Sequence, residues 1–170
     1  IERVELSKET GLQMGVVKFA WEVEVVEQLT DDKDALISAV EGMKFDAYTT
    51  NIGGAFRSMK NMLQFGRRDA PSVCMLWTDG RPSYPSNDFD AKSGAAELRT
   101  ACRVMVVTMR PAIPRDQVLP WVSNPKDQNI LSVQSPEEME HSVRQVNTFV
   151  CARVQKYLDW TNAHSKEESD

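Results

Sequence analysis

The sequence predicts a single α/β domain built on a mostly parallel sheet, with helices on both faces and one antiparallel edge strand. Three observations support this fold class. Short continuous apolar runs are typical of buried strands, segments between them space apolar residues by three and four, as helices do, and one early segment alternates strictly, as a half-exposed strand does. The length of 170 residues suits one domain. We expect the domain over residues 1–161 and a polar tail over 162–170.

The composition excludes several classes of protein. Hydrophobic residues make up 41% and charged residues 26%, which is typical of a globular chain. The chain carries 20 basic and 25 acidic residues, for a net charge of −5. This acidic balance argues against nucleic acid as a partner, and no stretch approaches the roughly 20 apolar residues of a membrane span. The compartment stays open between an extracellular and an organellar assembly. Three cysteines without CxxC spacing are expected to be buried thiols.

The first two strands are predicted to form a hairpin. Met14–Ala20 is a nearly continuous apolar run, which predicts a buried strand. Residues 22–25 alternate glutamate with valine, and outward glutamates suit the edge of a sheet because charge there discourages pairing with another chain. The two runs lie too close together for a helical crossover. We therefore expect them to pair in antiparallel fashion.

The rest of the chain alternates helices with strands. Apolar spacing predicts helices over residues 35–43, 52–63 and 91–98, and apolar runs predict strands over residues 72–78, 103–108 and 130–133. The proline-rich segment 111–125 is expected to be a connection with about one helical turn, in which Trp121 covers a sheet edge or a partner. Ser135, Pro136 and Glu138 form an N-terminal capping pattern for a last helix that reaches Tyr157.

Candidate site residues follow the strands, because ligands of open α/β sheets bind beyond the carboxyl ends of the strands. Asp79 and Gly80 follow the strand 72–78, and Thr49 and Thr50 precede the second helix. A carboxylate facing a hydroxyl, together with water, is a hard-oxygen site that suits Mg²⁺. Each feature also has a simpler explanation, since a threonine there can cap the helix and Asp-Gly is a common turn.

Taken together, these motifs resemble the von Willebrand factor A domain, which is also called the integrin inserted domain. The resemblance runs from about residue 12 to about residue 154. It is carried by a strand MGVVKFA, a threonine loop TNIGGAF, a strand that ends in TDG, and the helix and strand of AAELRTACRVMVV. It implies a Rossmann-like sheet with a metal-ion-dependent adhesion site. In that site Thr50 and Asp79 fall on two metal-ligand positions for Mg²⁺, and an acidic group of the partner completes the coordination.

The sequence departs from the family pattern at the third metal-binding motif. The family has a DxSxS motif after its first strand, and this chain contains none. We expect the chain to begin near the end of the family's first helix, so that the first, central strand comes from upstream polypeptide or from another chain. The implied Mg²⁺ site therefore requires an upstream DxSxS motif. Without that motif the chain is expected to bind no metal, or to bind it weakly.

The resemblance implies protein–protein recognition, with adhesion through a Mg²⁺-dependent site as one form. The alternative is a metal-independent accessory subunit that docks in a larger complex, with or without a membrane-embedded part. Arg81 and Tyr84 follow Asp79 on the expected ligand face and are candidate partner-binding residues, although an exposed loop tip would look the same. No nucleotide-binding, nucleophile or zinc motif occurs, and His141 and His164 lie far along the chain from Asp79. We therefore expect a binding protein and not an enzyme.

Overall fold

A computed structural model describes residues 6, 12–46, 49–67, 70–109, 113–135 and 138 of the chain. Among these residues, no helix is both long enough and apolar enough to cross a membrane. The elements, in chain order, are β1 (Met14–Phe19), β2 (Val23–Thr30), α1 (Lys33–Glu41), α2 (Ile52–Leu63), β3 (Val73–Thr78), α3 (Asp88–Leu98), β4 (Arg103–Met109), α4 (Arg115–Val118), a 3₁₀ turn (Lys126–Asn129) and β5 (Ile130–Val133).

The strands confirm the predicted mixture of parallel and antiparallel pairing. Strands β3, β4 and β5 lie side by side in that order and pair in parallel. Strands β1 and β2 form the predicted antiparallel hairpin, in which Lys18 lies opposite Glu24. Within the described ranges the pairing falls into two sheets, because β1 and β3 do not pair with each other. The α/β class is confirmed.

The main core lies between the parallel sheet and helices α2 and α3. Residues 104–107 of strand β4 are all apolar, and the strand is buried along most of its length, with Val104 and Val106 in the main core. Phe56 of α2 lies edge-to-face with Trp121, at 6.2 Å between ring centroids. Trp121 is only 1% exposed. The interpretation of Trp121 as an edge or partner residue is therefore wrong, because its ring fills the core.

Helix starts follow the expected capping chemistry. Asp32 caps α1 by accepting a hydrogen bond from the Ala35 N–H at 3.0 Å, and Asn87 caps α3 in the same way. At the predicted start of the last helix, the Glu138 N–H donates to Ser135 Oγ at 3.3 Å, while the Glu138 carboxylate accepts from the Gln134 N–H at 2.7 Å. The first bond confirms Ser135 as the predicted N-cap, whereas the second goes to the residue before the cap and not to the Ser135 N–H that a capping box would use. The body of that helix lies outside the described residues.

Two of the three cysteines are buried thiols, as predicted. Cys74 lies on β3 and Cys102 immediately precedes β4, and both belong to the main core. A hydrogen bond with the Cys74 thiol, together with burial, raises the pKa of Cys102. A thiol with a raised pKa is a poor nucleophile at neutral pH. The prediction for Cys151 concerns a residue outside the described ranges.

Candidate functional site

Three loops meet at one edge of the molecule, and we call them the three-loop edge: residues 20–22 of the β1–β2 turn, residues 49–51 before α2, and residues 79–87 between β3 and α3. The first two loops are joined through Asn51. Its backbone N–H donates to the Ala20 carbonyl at 3.0 Å, and its side-chain amide donates to the Trp21 carbonyl at 3.2 Å. These bonds hold the hairpin turn against the start of α2.

Thr50 connects the second loop to the third. Its backbone N–H donates to Ser83 Oγ at 2.8 Å, and the Ser83 N–H donates back to the Thr50 carbonyl at 3.1 Å. A Cβ atom added to Gly80 would lie 3.1 Å from Thr50 Oγ1. The Thr50 hydroxyl therefore lies beside the residue that follows Asp79, and the structure brings the two predicted ligand positions to the same edge.

The threonines do not cap α2. That position belongs to Asn51, whose Oδ1 accepts a hydrogen bond from the Gly54 N–H at 3.0 Å. The alternative explanation of Thr50 as a simple N-cap is therefore wrong. The Thr50 hydroxyl does not cap the helix, and Thr49 Oγ1 is buried without a hydrogen-bond partner among the described residues.

The turn at Asp79 is fixed from beneath by Thr78. The buried Thr78 hydroxyl donates to the Gly80 carbonyl at 3.1 Å and lies 3.3 Å from the Gly80 N–H, which donates to it. A side chain that closes a turn in this way stabilises its backbone conformation. Asp79 itself is exposed. The carboxylate is thus presented to solvent on a rigid turn.

A second set of bonds fastens the far end of the third loop. The Gly53 N–H at the start of α2 donates to Ser86 Oγ at 3.1 Å, and Ser86 is buried. Arg57 donates two hydrogen bonds to the Asp90 carboxylate, at 2.7 and 3.2 Å. The hydrogen bond from Arg57, with a further one from Ser86, lowers the pKa of Asp90. The loop is therefore anchored at Ser83 and again at Ser86.

Between these anchors the loop exposes the two predicted partner-binding residues. Arg81 is exposed, and Tyr84 is 69% exposed. The Tyr84 ring lies 4.9 Å from the ring of Trp21, centroid to centroid, at an interplanar angle of 51°. Sequence reasoning missed Trp21, which is 51% exposed at the hairpin turn. A bulky aromatic residue in a tight turn was the available signal.

The donors at this edge match a divalent cation in kind but not in number. Thr50 offers a hydroxyl oxygen and Asp79 a carboxylate, both of which suit Mg²⁺. A Mg²⁺ ion takes about six oxygens. Among the residues that the structure describes, no three His, Cys, Asp or Glu side chains are grouped so as to hold a metal. These two side chains alone therefore do not make a complete metal site.

Comparison with known proteins identifies the family. The sequence profile of the von Willebrand factor type A domain matches residues 1–145, so the chain belongs to this family, whose members generally act in protein–protein interaction. Among curated proteins no relative matches the chain.

Several solved structures have a similar fold. Proximal thread matrix protein 1 from the mussel byssus is 18% identical at a TM-score of 0.71, and the match covers 82% of this chain and 37% of that one. Another structure of the mussel protein, with a zinc-occupied MIDAS motif, has the same identity at a TM-score of 0.70, with 82% and 36% covered. The chain thus spans under two fifths of the mussel protein.

Two further structures share the fold. Manganese-loaded TRAP protein of Plasmodium vivax is 19% identical at a TM-score of 0.64, with 79% of this chain and 57% of that one covered. The von Willebrand factor type A protein of Catenulispora acidiphila is 14% identical at a TM-score of 0.67, with 84% and 36% covered. Together these matches confirm the fold.

Proposed function

We propose that this chain acts in protein–protein recognition and that the three-loop edge is its binding surface. The observation that carries the proposal is the convergence of Thr50, Asp79, Arg81 and Tyr84 on one edge of the fold. Loops held on a rigid scaffold are where binding residues concentrate. Here the loops are anchored by Asn51, Ser83 and Ser86, so the exposed side chains between them need little ordering when a partner binds.

In one form of this function, a divalent cation takes part and the protein acts in adhesion. Thr50 and Asp79 would be two of the ligands, and a cation there would supply a positive centre for a carboxylate of the partner. The zinc-occupied mussel protein and manganese-loaded TRAP, which share the fold, support this form. It requires further oxygen ligands beyond these two residues.

In the second form, recognition is independent of metal and the chain docks as an accessory subunit in a larger complex. The small number of donors at Thr50 and Asp79 supports this form. Arg81 and Tyr84 also support it, because an exposed guanidinium and an exposed aromatic ring bind partners without a cation. Both forms assign the chain a binding role and no catalytic role. Turnover of a simple ester or phosphate ester by the purified protein would contradict that assignment.

Selection from a random peptide display library tests the proposal. The purified chain serves as bait in Mg²⁺ and, separately, in EDTA. We expect selected peptides to bind about tenfold more weakly to Asp79→Ala, as is typical when an interface anchor is removed. The matched control is Asp34→Ala, because Asp34 is an exposed aspartate in the first turn of α1, beyond the opposite end of the hairpin from Trp21.

The two forms give different results in EDTA. Peptides whose binding is lost in EDTA and in Thr50→Ala support the adhesion form, and peptides indifferent to EDTA support metal-independent docking. A library that yields only peptides equally affected by Asp79→Ala and Asp34→Ala, or that yields none, would contradict recognition at the three-loop edge.

A further inference from the structure

Trp21 and Tyr84 form an exposed pair of aromatic rings at the three-loop edge. They come from different loops, yet their ring centroids lie 4.9 Å apart. Trp21 is 51% exposed and Tyr84 is 69% exposed, so much of each ring faces solvent. The faces of aromatic rings carry partial negative charge and attract cations, with tryptophan the most effective. The pair therefore offers a surface on which a flat or positively charged group can stack.

The backbone around this aromatic pair is held in place before any partner arrives. The Trp21 carbonyl accepts a hydrogen bond from the Asn51 side chain, and the residue that precedes Tyr84, Ser83, exchanges two hydrogen bonds with Thr50. Binding at a preorganised surface loses less conformational entropy than binding at a mobile loop. The backbone beside both rings is therefore fixed, and the pair is separate from the main core.

The charged side chains around the pair are mostly acidic. The three loops and the first residue of α3 expose three carboxylates, Glu22, Asp79 and Asp88, and one cation, Arg81. One positive charge and three negative charges leave a net charge of −2. Among the described residues none of these four groups has an ion-pair partner, whereas Asp90 is paired with Arg57. The unpaired charges favour a positively charged partner.

We propose that the Trp21–Tyr84 pair, at an edge that also exposes Glu22 and Asp79, binds a basic side chain of a partner protein. This inference rests on the proposed recognition function in its metal-independent form. Arginine fits better than lysine, because its planar guanidinium stacks on an aromatic ring while its N–H groups donate to a neighbouring carboxylate. An acidic partner segment would be repelled by the net negative charge unless a cation neutralised Asp79.

The peptides selected in EDTA test this inference through their composition. We expect enrichment in arginine and, less strongly, in lysine. Replacing the key arginine of a selected peptide by citrulline keeps the shape and removes the charge, and we expect it to weaken binding about tenfold. Raising the salt from about 50 mM to about 300 mM is expected to weaken binding several-fold, because exposed charges are screened.

Variants of the protein locate the binding position. Trp21→Ala is expected to weaken binding of the arginine peptide about tenfold and Glu22→Gln a few-fold. Phe65→Ala is the matched control, because Phe65 is an 80% exposed aromatic residue that follows α2 and lies outside the three loops. It should leave binding unchanged.

The possible outcomes separate this inference from the proposed function. Selected peptides that are acidic or uncharged, or that bind the natural protein and Trp21→Ala equally well, would overturn the inference. So would an arginine peptide that binds as well in its citrulline form. If such peptides still depend on Asp79, the proposed recognition function is kept. Peptides with no dependence on the three-loop edge would overturn both. Arginine-rich peptides that are sensitive to citrulline substitution and to Trp21→Ala support both.

Discussion

At the scale of single residues, Gly53 shows how closely α2 and α3 approach each other. It is the second residue of α2, and a Cβ atom built on it would lie 2.0 Å from Asp90 Oδ2 and 3.0 Å from the Asp90 backbone carbonyl carbon. Across the same contact, a Cβ on Gly94 would lie 2.9 Å from the Gly53 carbonyl oxygen. Position 53 requires glycine because Asp90 of α3 occupies the space that a methyl group would need.

Gly53→Ala is therefore expected to destabilise the protein, although alanine favours a helix. The methyl group would displace the Asp90 carboxylate from Arg57 and press on the α3 backbone, and overpacking of this kind costs about 1–3 kcal/mol. Urea unfolding measures the change. Gly42→Ala is the control, because a Cβ there would come no closer than 3.3 Å to another atom and the backbone is already in the right-handed helical region. Equal unfolding midpoints for the two variants would contradict the prediction.

At the scale of elements, the Arg57–Asp90 pair joins α2 to α3 next to the three-loop edge. The two hydrogen bonds are charge-assisted and bidentate, and Ser86 links the same carboxylate to the third loop. The side chains are 43% and 28% exposed, so solvent screens their attraction. We expect the pair to contribute up to about 1 kcal/mol.

The contribution of this pair should depend on pH. Because the pKa of Asp90 in the folded protein is below its ordinary value of 3.8, the stabilisation is fully present above that value and is lost as the pH falls through the lower, folded value. The difference in unfolding free energy between the natural protein and Arg57→Gln should therefore be largest near neutral pH and should shrink below about pH 4.

Lys60→Gln provides the comparison for that measurement. Lys60 and Glu97 join the same two helices through one contact of 3.5 Å, and the Glu97 side chain is 47% exposed. We expect its loss to change the free energy of unfolding by less than about 0.5 kcal/mol. An Arg57→Gln difference that stayed constant down to about pH 3 would show that the pair does not act through the Asp90 charge.

The elements themselves were predictable because their signals are local. The apolar run at Ile130–Val133 is strand β5, and the three–four spacing over residues 52–63 is α2. Strand β4 extends one residue past the prediction, to Met109. The burial of Trp121 could not be inferred from its neighbours, because proline-rich surroundings are typical of exposed connections. Its partner, Phe56, is distant in the chain.

At the scale of the whole molecule, topology explains which part of the site the sequence could indicate. Thr50 and Asp79 lie close together because the loop that follows β3 and the loop that leads into α2 lie at the same edge of the α/β fold. Trp21 was not predicted as a site residue because its contact with Tyr84 depends on how the hairpin packs against the parallel strands. The spacing of residues in the sequence does not indicate that packing. The choice among Thr49, Thr50 and Asn51 as the helix cap was also undetermined, since all three residue types can cap.

The number of oxygen ligands at the three-loop edge determines how strongly the chain binds divalent cations. Mg²⁺ holds its waters strongly and takes about six oxygens, so a hydroxyl and a single carboxylate cannot compete well with solvent for it. We expect isothermal titration of Mg²⁺ or Mn²⁺ into this polypeptide to show no saturable binding in the micromolar range. Asp79→Asn is the matched control and should give the same flat trace. A micromolar isotherm that Asp79→Asn abolishes would contradict the prediction and would place a cation at the three-loop edge.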